Sequence, residues 1–438
     1  MSRRRIFWLW LPLAVSFTLM MLEGPAVQAA IARLDDAALN LAAFGLVLSI
    51  SLIIESPVIM LISTSIALAR DAQSYRALRT FLIWLNLALT ALTALVAWTP
   101  LYDLIVGGML GIPTSIGTAA RPALRIMLLW TAAIGWRRFY QGILIRHDMT
   151  TRVSYGTAIR LVCAIGTAVG LVIWGGLPGA QVGACALMAG VLSEALATHL
   201  LALPIVRRAY ASREMTEQPL TLGAILRFHV PLAATSLLTL VVQPLTAAAL
   251  ARLPHPTETL ATWPVLFSAT LVLRGWGMAL QETTIAQAAD QRAHRPLREF
   301  TLIVAAVTSL AAVGLAFTPL LSVYLREVIT LDTGLWSYVR TGLQVLILLP
   351  GLTALTSWLR GLLVAAGTTS SVYRGMGINL AVNGALLAAG VALQLPGIVV
   401  AAVAVLVAIG VEGLYLQRRY AAVVEQRTAT GADPVTVS

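Results

Sequence analysis

Seven ionisable side chains stand inside long apolar stretches of this chain: Glu23, Glu55, Arg160, Glu194, Arg274, Glu282 and Glu412. A charge at such a depth costs roughly 2.5–3.5 kcal/mol on membrane-insertion scales, so each marks a candidate ion or solute site. Glu23 lies mid-stretch, two residues before Pro25. A carboxylate there that ionises when facing water and protonates when occluded can couple movement of a solute to a proton gradient. Arg160 stands beside no acid in sequence, and Asn379 and Asn383 fall on one face of a later helix. These three residues suit either a polar cavity or hydrogen bonds between helices. Glu412 is close enough to Arg418 to be expected to snorkel toward the membrane interface.

Other chemistry is missing. The chain has no Lys, hence no Walker loop for ATP. His147, His199, His229, His255 and His294 are scattered without metal-ligand spacing, and no GxSxG elbow occurs. No enzyme activity is expected and no cofactor, only H+ or Na+ as a coupling ion.

The helices that must position these groups occur twice. PLAVSFTLMMLEGPAVQAAIARL at 12–34 returns as PLAATSLLTLVVQPLTAAALARL at 231–253, an offset of 219. The same offset superimposes Pro25 on Pro244, Asp71 on Asp290, Arg76 on Arg295, Thr99-Pro100-Leu101 on Thr318-Pro319-Leu320, and Gly142 on Gly361. Coincidences at Pro, Arg, Asp and Gly are costly in so apolar a chain, and they indicate a tandem duplication. The offset also sets Glu55 on Arg274, opposite charges at equivalent depths, which could meet as a gate or substrate contact or as a static ion pair, or make no contact. It sets Glu23 on Val242, with only Gln243 alongside. Pro25 and Pro244, late in equivalent helices, are candidate hinges.

The chain is 58% hydrophobic and 11% charged, with a mean hydropathy of +0.85. Its apolar runs of about 20 residues can each cross a roughly 30 Å hydrocarbon layer, and they lack the alternation of a barrel. The fold expected is all-α: a polytopic membrane protein of twelve transmembrane helices in two pseudo-symmetric six-helix bundles. The spans read 7–31, 38–68, 81–103, 120–144, 154–175, 180–203, 226–250, 260–288, 301–323, 336–359, 372–393 and 395–416, the second and eighth long enough to tilt or to run past the membrane. The lobes are expected at 1–208 and 224–420, with a cytoplasmic linker at 209–223 and a disordered tail at 421–438. All 30 basic residues are Arg, and they favour alternate loops, which puts both termini in the cytoplasm and the chain in the inner membrane. This pattern argues against a nucleic-acid partner. The partners expected are a small-molecule substrate and membrane lipids, and the chain is expected to act as a monomer. Arg3-Arg4-Arg5 and the apolar run behind them imitate a signal peptide, but the repeat makes that run a retained helix. Cys163 and Cys185 are read as small buried hydrophobes.

The paired six-helix halves, the prolines of helices one and seven, and the segments FYQGILIRHDMTTRVSYG (139–156) and LRGLLVAAGTTSSVYRG (359–375) resemble the multidrug/oligosaccharidyl-lipid/polysaccharide (MOP) exporter superfamily, home of the MATE transporters. LPLAVSF (11–17), LAAFGLVLSI (41–50) and VEGLYLQRRY (411–420) are similar to the progressive ankylosis group within it. The resemblance implies a secondary transporter that rocks between outward- and inward-open states and exports a small solute against H+ or Na+. It also implies an essential acid on helix one. Glu23 resembles that acid but sits about one turn closer to the helix start. A helix-seven carboxylate found in other members is missing. Progressive-ankylosis-like export of organic anions or pyrophosphate is one alternative, for which Arg274 and Arg160 are suited; a flippase for lipid-linked oligosaccharides is another.

Overall fold

The computed structural model describes residues 3–110, 112–210, 220–288, 293–328 and 333–430. Among these the chain is helical, with no strand: α1 (Arg3–Ile31), α2 (Ala37–Ile59), α3 (Leu61–Leu68), α4 (Ala72–Trp98), α5 (Leu101–Asp103), α6 (Thr114–Ile126), α7 (Trp130–Arg146), α8 (Thr150–Trp174) and α9 (Gly179–Ala209) form the first series. The second is α10 (Leu222–Leu250), α11 (Pro256–Gln287), α12 (His294–Phe317), α13 (Leu320–Val323), α14 (Trp336–Val345), α15 (Leu349–Ala365), α16 (Thr369–Ala392) and α17 (Gly397–Thr430). Among the described residues, eleven helical stretches are long and apolar enough to span a membrane. The expected fourth span divides into α6 and α7 at a 3-10 turn, Met127–Leu129. Side chains on the outer faces are apolar: Val162 is 71% exposed and Ile173 80%, the surface a lipid-embedded helix presents. The chain is a multi-pass membrane protein.

Local conformation repeats more faithfully than residue type. The 3-10 turn at Met127–Leu129 recurs at Leu346–Leu348, the same 219-residue offset. Six described residues have positive φ, and they form three pairs at that offset: Asp36 (52°) with His255 (55°), Asp148 (60°) with Gly367 (77°), and Gly175 (69°) with Gln394 (49°). A left-handed residue is cheap only for Gly. Its survival where the residue has changed shows that these turns are imposed by the helices they join. Gly142 and Gly361 do a different job. A Cβ on Gly142 would lie 1.8 Å from Ser65 Oγ, and one on Gly361 would lie 2.7 Å from Thr284 Cβ. Both glycines let backbones of neighbouring helices approach, the packing that a lipid setting favours.

Two compact units emerge, one of Val15–Ala233 and one of Met1–Ala14 with Ala234–Ser438; they are called the N unit and the C unit. The expected lobe limits at 208 and 224 differ, because membership changes within helices rather than in the linker. The first fourteen residues of the chain belong to the C unit, and the start of α10 belongs to the N unit. Equivalent contacts hold each of these segments. In the C unit the Trp10 indole N–H donates to the Trp276 carbonyl at 2.9 Å, and its ring meets Phe300 edge-on at 5.3 Å. In the N unit His229 Nε2 lies 2.9 Å from the Pro57 carbonyl, and its ring meets Phe81 edge-on at 5.2 Å. All three pairs, 10/229, 57/276 and 81/300, keep the offset.

The expected long second span is a single apolar stretch, Leu39–Leu68, that turns at Met60 between α2 and α3, near Pro57. The tail assignment is corrected. Residues 421–430, assigned to a disordered tail, continue α17; 431–438 and the linker core 211–219 lie outside the described residues. Helices α1 and α10 run through Pro25 and Pro244 without interruption.

Candidate functional site: buried charges within each unit

In the N unit five helices deliver charge to one interior cluster. Arg160 of α8 grips Glu23 of α1 with two parallel hydrogen bonds, Nε to Oε1 at 2.8 Å and Nη2 to Oε2. This fork-to-fork geometry is the strongest a guanidinium and a carboxylate can make. Its remaining amino group, Nη1, reaches Glu194 of α9 at 3.4 Å. Arg137 of α7 holds the same Glu194 oxygen at 2.7 Å, while Gln141 and Thr157 each donate to the other oxygen at 3.0 Å. Glu55 of α2 accepts from the indole N–H of Trp130, and the Arg160 guanidinium lies over that indole at 5.8 Å. Gly190 keeps the centre open, since a Cβ there would stand 3.1 Å from Glu23 Oε1.

Arg160 and Arg137 thus hold Glu23 and Glu194, Glu55 joins through Trp130, and the neighbouring Arg138 acts on both Glu55 and Glu194. Glu55 is the carboxyl whose hydrogen bond comes from a neutral donor. Glu23 was expected in apolar surroundings; instead it is paired, because Arg160 lies across from it on α8 and could not itself be buried uncompensated.

The C unit carries a smaller counterpart. Arg360 of α15 binds Glu412 of α17 through Nε at 2.8 Å and through Nη2, and Asn379 of α16 donates to the other oxygen at 2.9 Å. Glu412 therefore does not snorkel; it is fully buried. Asn383, one turn further along α16, is buried with both amide atoms unpartnered. Trp263 donates to Gln243 at 3.2 Å, and Glu282 is buried on α11. Arg274 of α11 donates through Nε to Thr353 Oγ1 at 3.0 Å and stands 5.9 Å over the Phe267 ring. Glu55 and Arg274, set on one another by the offset, each bond within their own unit.

Arg137 and Arg360 escaped sequence reasoning because both read as loop arginines of the basic side. The signal was present in Glu194 and Glu412, two acids at equivalent depths that each demand a cation. Among the described residues no group of three His, Cys, Asp or Glu side chains could hold a metal, and both cysteines are free.

Away from these clusters, the end of α9 is tied to the α3–α4 and α7–α8 turns. The Tyr210 hydroxyl donates to the Ala69 carbonyl at 2.9 Å, lies 3.1 Å from His147 Nε2, and its ring stacks on Tyr75 at 4.7 Å. Burial, reinforced by the neighbouring Arg146 guanidinium, pushes the His147 imidazole below its ordinary value. Burial pushes the Tyr210 phenol up to about 12. Asp71 caps α4, accepting from the backbone of Gln73 and Ser74; Asp290 and Arg292 lie outside the described residues.

The fold is that of solved MATE transporters. A MATE protein in its bent conformation superimposes with a TM-score of 0.78 at 17% identity, covering 98% of both chains. An outward-facing multidrug resistance MATE transporter of the MOP superfamily matches with a TM-score of 0.74 at 18% identity over 96% of both. A MOP superfamily transporter from Pyrococcus furiosus, whose binding pocket is described as reversed in polarity, matches at 0.72 and 18% over 96% of both. No family model matches the chain, and no curated protein matches its sequence.

Proposed function

We propose that this chain is a secondary active transporter of the MATE type, which exports a small solute from the cell by alternating access coupled to an ion. It works in the inner membrane with both termini cytoplasmic, the orientation that the arginine asymmetry favours. The observation that carries the reading is the N-unit cluster, in which Arg160 and Arg137 hold Glu23 and Glu194 beside a third buried acid, Glu55. Arg160 already occupies both oxygens of Glu23, where a Na+ ion would need them, so the geometry favours H+. A proton on Glu23 weakens the grip of Arg160 and frees it toward Glu194, 3.4 Å away, loosening α1 from α8. Loss of the proton restores the pair. A buried two-state contact of this kind can bias a conformational equilibrium by several kcal/mol.

The test is solute flux in reconstituted vesicles under an imposed pH or Na+ gradient. Glu23→Gln, a permanent stand-in for the protonated acid, should abolish gradient-driven flux while leaving exchange down a solute gradient. Gradient-driven flux in the variant equal to that of the parent would overturn the assignment. No flux by the parent with any solute would overturn transport itself.

A further inference from the structure

Arg160 and Arg274 look alike in sequence, each an arginine inside an apolar helix. The structure separates them. Arg160 is matched by two carboxylates. Arg274 makes no ion pair among the described residues: its Nε bonds a neutral hydroxyl, Thr353, and its two terminal amino groups donate to no side chain or carbonyl. Glu412, the acid that acts on it, is already engaged by Arg360 and Asn379, and Arg360 opposes Arg274 with like charge. The Thr353 hydroxyl in turn donates to the Leu349 carbonyl at 2.8 Å, so its oxygen is turned to receive the Arg274 N–H. Phe267 lies against the guanidinium and Thr353 fixes its Nε, which leaves the Nη1/Nη2 edge as the part free to bind. That edge presents parallel donors whose spacing matches two oxygens of a carboxylate or phosphate. A guanidinium kept at membrane depth without a counter-charge is a large standing cost unless something anionic arrives to meet it.

We propose that Arg274, held by Thr353, is an anion subsite in the C unit that binds a carboxylate or phosphate group. The repeat reinforces this: the equivalent position in the N unit is Glu55, so the duplication has placed opposite charges at one register. The proposal deepens the transporter reading by naming the charge of the group carried, and it rests on that reading only for the group's being cargo. A soluble solute and the phosphate of a lipid headgroup present the same chemistry, and the experiment separates them.

The full-length protein, purified in neutral detergent, is titrated with inorganic phosphate and with succinate by calorimetry. It is also placed in phosphatidylcholine vesicles with and without phosphatidylglycerol, where lipid-dependent thermal protection is read. Arg274→Gln should weaken the Arg274-dependent interaction at least tenfold, Arg274→Lys should retain part of it, and Thr353→Val should weaken it without removing charge. Dependence on Arg274 in the succinate or phosphate titration assigns a soluble anion; dependence only in phosphatidylglycerol assigns a headgroup. Parent and Arg274→Gln protein behaving alike in both arms would overturn the subsite. Should the parent carry the cation tetraphenylphosphonium, and Arg274→Gln carry it equally well with no anion bound by either, the subsite fails while the transporter stands. If Arg274→Gln does not fold, Arg274→Lys and Thr353→Val carry the same comparison.

Discussion

Replacing Arg137 by methionine tests whether the N-unit cluster is held by charge balance. Arg137 is 1% exposed and bonds Glu194, itself fully buried, at 2.7 Å. Methionine keeps much of the side-chain volume but removes the cation, leaving an extra negative charge in a dry interior. Breaking a buried pair from one side costs about 3–5 kcal/mol. Here Arg160 still reaches Glu194 at 3.4 Å and two neutral donors remain, so the low end, about 3 kcal/mol, applies. For a unit of this size that corresponds to roughly 6–12 °C in the unfolding midpoint. The assay is thermal unfolding of the purified protein in detergent, followed by tryptophan fluorescence. Arg137→Met with Glu194→Gln removes one charge of each sign and leaves the Glu23–Arg160 pair intact, so the double variant should recover at least half of the loss. A single variant within about 1 °C of the parent, or a double variant no better than the sum of its singles, would refute the charge-balance reasoning.

Other outcomes follow from the same geometry. Gln394→Gly, relieving a left-handed residue at φ 49°, should stabilise by roughly 0.5–1 kcal/mol, whereas Gly175→Ala at the equivalent turn should destabilise by a similar amount, both read by thermal unfolding. Gly142→Ala drives a methyl into Ser65 Oγ and the Ile62 carbonyl and should cost about 1–3 kcal/mol, with Ser65→Ala restoring part. His147 is depressed in the folded protein relative to the unfolded chain. Its contribution is therefore fully present above pH about 6.5 and declines as acid protonates the unfolded chain preferentially. The fall in unfolding midpoint from pH 7.5 to 5.5 should be smaller in His147→Gln; an unchanged fall would exclude His147 as its source.

The duplication, the helical membrane fold and the depth of the buried acids were legible because they rest on residues with few substitutes: Pro25 and Pro244, Gly142 and Gly361, and charges inside apolar runs. Partnership was not legible. Glu23 and Arg160 are 137 residues apart, and no local pattern ties α1 to α8. Arg137 lies midway along α7 and Arg360 near the end of α15, and an orientation count by charge groups both with the loop arginines, although the two turn inward. The positive-φ pairs were hidden for another reason: the register kept the backbone while Asp became His or Gly, and Gly became Gln.

The exchange of segments between the units also constrains how the chain matures. The N unit lacks its last segment until the ribosome has passed His229 and Ala233. Trp10 has its indole acceptor only once Trp276, 266 residues further on, is made. A nascent chain stalled at residue 208 would therefore hold one undocked helix end, the start of α1, and one vacant dock at Pro57 and Phe81. Two separately translated gene fragments divided at the linker should acquire protease resistance only when synthesised together.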